Sequence, residues 1–198
     1  MKEKKANGVQ LLLRAVVKDP EGKILSDTGK KPSKSLVIQF LEFIYAMFNF
    51  DADLSATATD GTEDKIYDGD VDCEYHLRVD AALNVALYGI VVGTGTTPET
   101  NTDYKLETQI TEGTGAGQLT HGTTTIADAA VVGANVDLEV TRTFTNGSGN
   151  TITVTEAGIY TKQGAGFYHC IIRDVLGAGI DVTNKCSLSV IYTLRTTV

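Results

Sequence analysis

The sequence predicts a mostly β fold: an antiparallel, jelly-roll-like β-sandwich with one long apolar helix near the N-terminus. The chain contains 27 threonines and 20 glycines among its 198 residues, and no tryptophan. Threonine is β-branched and suits half-buried strand positions, and glycine supplies tight turns. Alternating runs joined by glycine-rich turns follow residue 119, a spacing that is typical of sandwiches. We therefore expect a single domain over residues 1–198.

The first part of the chain predicts a hairpin. Residues 9–17 are strongly apolar and are followed by a turn in which Pro20 and Gly22 take the favoured positions. Residues 24–28 are then a plausible return strand.

A helix is predicted over residues 34–49, after Pro32 and a capping serine at 33 or 35. Its apolar residues fall on nearly every side, so we expect it to be buried either by its own domain or by another subunit. The candidate assembly contacts on this helix are Phe40, Phe43, Ile44, Tyr45 and Met47.

After this N-terminal unit of residues 1–50, an acidic loop over 51–70 leads to the sandwich proper, residues 71–198. Residues 71–80 alternate, and residues 83–92 predict a strongly apolar strand. Loops at 93–105 and 111–125 follow.

In the last third of the chain, the alternating runs at 136–144 and 151–161 flank a strong turn signal at 146–149, which predicts a hairpin. The remaining elements predicted are a strand at 167–175, a turn at 177–179 and a final strand at 187–198.

The charge balance argues against nucleic acid and membrane partners. The net charge is −8 and the sequence pI is about 4.8, whereas phosphate binding requires clustered basic residues. No signal peptide is evident, and the apolar stretch at 36–50 is shorter than the roughly 20 residues that cross a bilayer. The three cysteines are an odd, sparse set and not a disulfide framework, which favours synthesis in the reducing interior of a cell.

The acidic loop holds the best candidates for a metal site. Asp68, Asp70 and Asp72 alternate, and dense carboxylates can bind calcium. The spacing lacks the glycine and glutamate of an EF-hand, so a solvated acidic loop is preferred and a bound divalent cation is the alternative. A zinc site formed by cysteines and histidines is disfavoured, because adjacent residues such as His169 and Cys170 point to opposite faces of a strand.

Catalysis is not predicted. The three histidines lie in no recognised nucleophile motif, and no phosphate-binding loop of the GxxxxGK[ST] type is present. The glycines at 93–95 lack the third glycine and the helix start of a dinucleotide site. We therefore expect no enzyme activity and no cofactor.

Two stretches carry a family resemblance: GIVVGTGTTPETNTDYKLETQI at 89–110, and VTRTFTNGSGNTITVTEAGIYTK at 140–162, followed by IIRDV and CSLSVIYTLR. Together with the opening of the chain, they resemble a diffuse group of structural proteins of tailed viruses, the bacteriophages and related archaeal viruses. In that group a VGTG…DY.LE loop precedes an R.F.N.SG..ITV.E.GLY hairpin, and a final strand reads L.V.YTL. This chain has Ile159 where leucine is more usual.

The resemblance implies a virion component of the tail or capsid, present in many copies, that contacts itself and other virion proteins. It implies no catalytic or ligand residues. The alternative is a receptor- or glycan-binding module whose loops at 93–105 and 111–125 contact a host surface. A hydrolase is a third hypothesis, tested by activity on cell-wall sugars or peptides.

Overall fold

The computed structural model describes residues 8–33, 36–49, 55–65, 77–163 and 166–197, without the side chains of 46–49. This part of the chain is mostly β, with antiparallel sheets and one short helix. The N-terminal elements are β1 (Gly8–Lys18), β2 (Ile24–Asp27), β3 (Lys31–Pro32), α1 (Ile38–Asn49), β4 (Ser55–Thr57) and β5 (Glu63–Lys65). The later strands are β6 (Gly89–Gly93), β7 (Thr120–His121), β8 (Thr125–Ile126), β9 (Ala130–Val132), β10 (Asn135–Thr145), β11 (Ile152–Gln163), β12 (Phe167–Val182) and β13 (Ser187–Thr197).

Two sheets form a sandwich-like arrangement. The large sheet has eight strands in the order β2-β1-β13-β10-β7, with β3 on β1 and with β8 and β9 on β10. The small sheet has the order β12-β11-β6, and β4 and β5 form a separate hairpin. Alternation places one side of each strand of the large sheet inward, where Leu13, Val190 and Phe144 lie in the main core.

The small sheet is covered on both faces. Ile90, Ala157 and Ile159 face the large sheet in the main core. Tyr160 and Cys170 belong to a second core, into which Leu106 packs from the long loop after β6. The molecule thus has a third layer, made of loops, on the outer side of the small sheet.

The N-terminal hairpin is confirmed, because β2 pairs antiparallel with β1. Its turn closes through a hydrogen bond from the Gly22 amide to the Asp19 carbonyl, and the positive φ of 85° at Gly22 suits glycine. The apolar strand predicted at 83–92 forms only over Gly89–Gly93. No helix in the described ranges is long and apolar enough to cross a membrane.

The hairpin predicted around residues 146–149 is wrong. β10 pairs with β13 in the large sheet, whereas β11 pairs with β12 and β6 in the small sheet, so the chain crosses between sheets here. Asn146 explains the crossing: its buried amide group donates to the carbonyls of Asn150 and Val182. A side chain bridging both flanking segments stabilises an arch instead of a two-residue turn.

The turn predicted at 177–179 is also wrong. β12 continues through these residues as a single strand, and the four residues 176–179 bulge opposite one residue of β11. The glycines therefore supply a bulge at the sheet edge, which is the other common use of glycine within a strand.

The prediction of a long apolar helix is wrong as well. α1 has only 12 residues, because the segment before it lies against the edge of β12: Leu36 bridges to Ile172, and the Val37 amide donates to the Ile171 carbonyl. Pro32 lies in β3, and the Ser33 hydroxyl donates to Asp174 instead of capping the helix. Edge pairing therefore competes successfully with helix formation at residues 36 and 37.

Candidate functional site

Opposite the bulge of β12, a break in the alternation of β11 directs a carboxylate into the loop layer. Ile152 and Val154 lie in the main core before the register shift, and Ala157 and Ile159 lie there after it. The alternation of inward-facing residues along β11 therefore shifts by one position, as it does at a β-bulge. Glu156 is turned toward the long loop between β6 and β7, and its side chain is fully buried.

The Glu156 carboxylate organises this loop through its backbone. One oxygen accepts hydrogen bonds from the amides of Gly95 (3.0 Å) and Thr108 (2.8 Å), and the other accepts from the amide of Glu107 (3.0 Å). The start of the loop, at Gly95, and its middle, at Glu107 and Thr108, are thereby held to the same side chain. A buried carboxylate with several amide donors forms strong, charge-assisted hydrogen bonds.

Arg173 on β12 completes this polar clamp, which we define as Glu156, Arg173 and Asp103. Its guanidinium donates to Glu156 (3.1 Å), to Asp103 (2.7 Å) and to the carbonyl of Thr97 (2.9 Å). Burial alone lowers the pKa of Arg173, but the bonded carboxylates of Asp103 and Glu156 outweigh it and raise that pKa. Arg173 is therefore a permanent cation. It links β12, on which it lies, and Glu156 of β11 to Asp103 in the loop.

Glycines permit this close approach. A Cβ at Gly93 or Gly95 would lie 2.5 Å from the Glu156 carboxylate, well inside any real contact. A Cβ at Gly158 would collide with the carbonyl oxygen of Ile172. These positions lie in the resemblance motifs, which supplies a physical reason for glycine there.

Tyr160 ties the loop to the second core. Its hydroxyl accepts a hydrogen bond of 2.5 Å from the amide of Leu106, whose side chain packs into that core. Burial raises the pKa of Tyr160 well above its ordinary value, so the hydroxyl stays neutral.

A second buried cation, Arg142 on β10, shapes the segment before β6. Its guanidinium donates to five carbonyls, those of Ala82, Val85, Tyr88, Ile90 and Gly122. Burial lowers the pKa of Arg142 to about 10, so it stays charged at neutral pH. The chain curls around this cation, and for that reason residues 82–88 do not extend as a strand.

The two described histidines are buried structural residues. His121 bonds the Glu112 carboxylate through Nδ1 at 2.9 Å, and its pKa is lowered by burial and by nearby Arg142. His169 packs edge-on against Phe43, and burial lowers its pKa to about 4. Neither arrangement places a nucleophile beside the imidazole.

An apolar strip lies at the bare end of the large sheet, defined here as Val9, Val131, Val136 and Leu194. The register places Val131 opposite Val136, and Val136 and Val9 each opposite Thr196. Leu194 is two residues from Thr196 on the same strand, so all four strip residues share the inward face. Val131 is 79% exposed and Val9 is 70% exposed, although their face is the core face further along the sheet. An exposed continuation of a core face is typical of an interaction surface.

An apolar cleft of about 510 Å³ adjoins the strip. Its floor is the next row of the large sheet, in which Leu194 of the strip lies between Leu11 and Leu138. Phe40 of α1 lines its wall. The cleft lies where the two sheets diverge.

The candidate contacts on α1 differ in how far their side chains are exposed. Phe43 is fully buried inside the chain, so its surface is not open to a partner, and Ile44 is half-buried. Tyr45 is 50% exposed and lies on one helix face with Ile38 and Leu41, which are also exposed. The side chain of Met47 lies outside the described residues.

The acidic residues Asp68, Asp70 and Asp72 also lie outside the described residues, as do Cys73 and His76. Within the described ranges, no group of three or more metal-binding side chains comes together. His169 and Cys170 are both buried but belong to separate cores, with Cys170 in the second core and His169 packed on Phe43.

Periodicity alone did not identify Glu156, Arg173 or Arg142 as organising residues. A signal was present in the sequence, because the apolar phase of β11 slips between Val154 and Ala157 and leaves a charged residue at the slip. Comparison with protein-family models, with curated proteins and with solved structures finds no match to this chain.

Proposed function

We propose that this protein is a structural subunit of a tailed-virus particle that assembles in multiple copies, in the tail or on the capsid, through protein–protein contacts without catalysis. The observation that carries the proposal is the exposed apolar strip, which continues the core face of the large sheet beyond the small sheet. The largest apolar patch on a protein surface is often a functional contact surface.

The buried charges support the same function. The polar clamp holds the loop after β6, and Arg142 holds residues 82–88, against the sandwich by hydrogen bonds to their backbones. Asp103 and Arg173 of the clamp also line a groove on the loop, but their charged groups bond to each other and to the loop backbone. Rigid loops of this kind present a fixed surface to neighbours, and a fixed surface lowers the entropy cost of assembly.

The motifs of the resemblance give a second line of support. The VGTG and DY.LE segments supply Gly93, Gly95 and Glu107, and the ITV.E.GLY segment supplies Glu156 and Tyr160. These residues meet in one contact network, so the motifs describe a physical unit. The finer expectation of jelly-roll-like connectivity stays a prediction.

The test is the protein composition of purified particles of the virus that encodes the chain. We expect the chain in stoichiometric, multiple copies that resist washing with high salt, because apolar contacts are not screened. Particles that lack the chain, or carry it only in traces removed by washing, would refute the proposal.

A receptor- or glycan-binding module is the second candidate, favoured by a groove on the clamped loop. The groove has a volume of about 240 Å³, and its lining includes Thr97, Tyr104 and Lys105. Replacement of residues 98–102 with a glycine-serine loop should then abolish adsorption of particles to host cells. Unchanged adsorption with intact particles would exclude this candidate.

A further inference from the structure

The apolar strip belongs to a face that is continuous with the core. Row by row, the inward face of the large sheet passes from buried Val140 and Tyr192, through the cleft floor at Leu138, to the bare valines of the strip. Within the described ranges no second layer covers this end of the large sheet, and a second apolar sheet face is the surface that fits it.

A hairpin extends the strip past the sheet body. β9 and β10 are joined by a tight turn at Gly133, and residues 127–134 are all exposed. This segment reads ADAAVVGA and contains one charge, Asp128. Small and β-branched apolar residues on an exposed hairpin favour insertion between other apolar surfaces.

The charges around the strip allow a second copy of the chain to cover it. No residue of the strip is charged, and the two charged residues that line the cleft, Arg78 and Asp80, pair with each other. The other nearby charges lie on the outer face of the sheet. There Asp137 pairs with Arg195, and Lys30 donates to Asp137 and to Glu139. Two copies with a net charge of −8 each can therefore bring their strips together without placing like charges in contact.

The area is sufficient for a specific contact. The exposed apolar surface of the strip together with Ile126 is roughly 400 Å² per copy, which falls in the range of interaction patches. Two copies would bury roughly 800 Å² of apolar surface, and with the polar share of an ordinary interface the total is roughly 1,200 Å². That total reaches the lower end of specific interfaces.

We propose that the apolar strip is covered by the same strip of a second copy, related by a twofold axis, with each β9–β10 hairpin lying across the partner's apolar cleft. The proposal rests on the proposed assembly function and names the surface that it uses. A twofold contact is isologous, so each hairpin meets the other copy's cleft in the same way.

The structure offers a matched pair of variants on one strand. Val131→Glu places a charge in the strip, whereas Val132→Glu places the same charge on the opposite face of β9, because neighbouring strand residues alternate. Both valines are exposed, at 79% and 50%, so neither change disturbs the core. Equal urea midpoints for both variants and the wild type check that folding is retained.

Sedimentation equilibrium of the three proteins tests the proposal. We expect the wild type and Val132→Glu to self-associate alike, and Val131→Glu to weaken association by about 100-fold or more, because an unpaired charge would be buried. Equal association of all three proteins would overturn this interface and leave the particle-composition test of the proposed function untouched. A wild-type chain that is monomeric in solution yet abundant in particles would also overturn it, since another virion protein would then cover the strip.

Discussion

Replacement of Glu156 by glutamine tests the polar clamp most sharply. The carboxylate accepts four hydrogen bonds, from three backbone amides and from Arg173, and both its oxygens are used. Glutamine has one acceptor oxygen, and its amide nitrogen would face two donors. Hydrogen bonds to a buried charge contribute about 1.5–3 kcal/mol, and unpairing a buried ion costs about 3–5 kcal/mol. We expect Glu156→Gln to lower the free energy of unfolding by about 4 kcal/mol, measured by urea denaturation at neutral pH.

Glu139→Gln is the control for this measurement. Glu139 also bonds a cation, Lys30 at 2.6 Å, but its side chain is 38% exposed, so its loss should cost less than about 1 kcal/mol. Hydrogen exchange adds a local reading, because the amides of Gly95 and Thr108 should exchange faster in Glu156→Gln. A loss below about 1 kcal/mol in Glu156→Gln, or unchanged exchange at these amides, would refute the clamp.

Three further predictions concern buried residues. Arg142→Met removes the donors of five carbonyls and should cost about 3 kcal/mol and open residues 82–90 to proteolysis; a resistant segment would contradict this. Gly158→Ala should cost at least about 2 kcal/mol by thermal melting, because the added Cβ meets a backbone carbonyl. The open, exposed Gly177 serves as the neutral control, and equal losses at both sites would argue against steric crowding. His169 has a folded pKa of about 4 against the ordinary 6.5, so only the unfolded chain binds a proton between these values, and stability falls by up to about 3 kcal/mol as the pH drops through this range. His169→Leu should remove that part of the acid sensitivity, and unchanged pH slopes would contradict its origin in His169.

The sequence predicted the strands well where one face is buried and the other is solvated. β10 alternates from Val140 to Phe144 and β13 from Ser187 to Tyr192, and this pattern placed both strands correctly. Pairing partners were harder to predict, because the turn signal at Asn146 is the same for a hairpin as for an arch. The difference depends on Val182, which is distant in sequence and accepts the Asn146 hydrogen bond.

The candidate site was harder still. β11 is buried on both faces, so alternation could not show that a loop layer covers its outer side. The helix was overestimated because propensity is local, whereas the edge of β12 that captures Leu36 is formed by residues far along the chain. The exposure of the strip could not be predicted for a related reason. In the sequence Val131 and Val136 resemble ordinary core positions, and only the folded sheet shows that their side chains are exposed.

The mass of the wild-type protein in solution, measured over a range of concentrations, tests the central claim most directly. One chain has a mass of 21.1 kDa, and the account predicts a concentration-dependent shift to 42 kDa or a higher multiple (21.1 × 2 ≈ 42). A mass of 21.1 kDa at every concentration would contradict self-association through the strip.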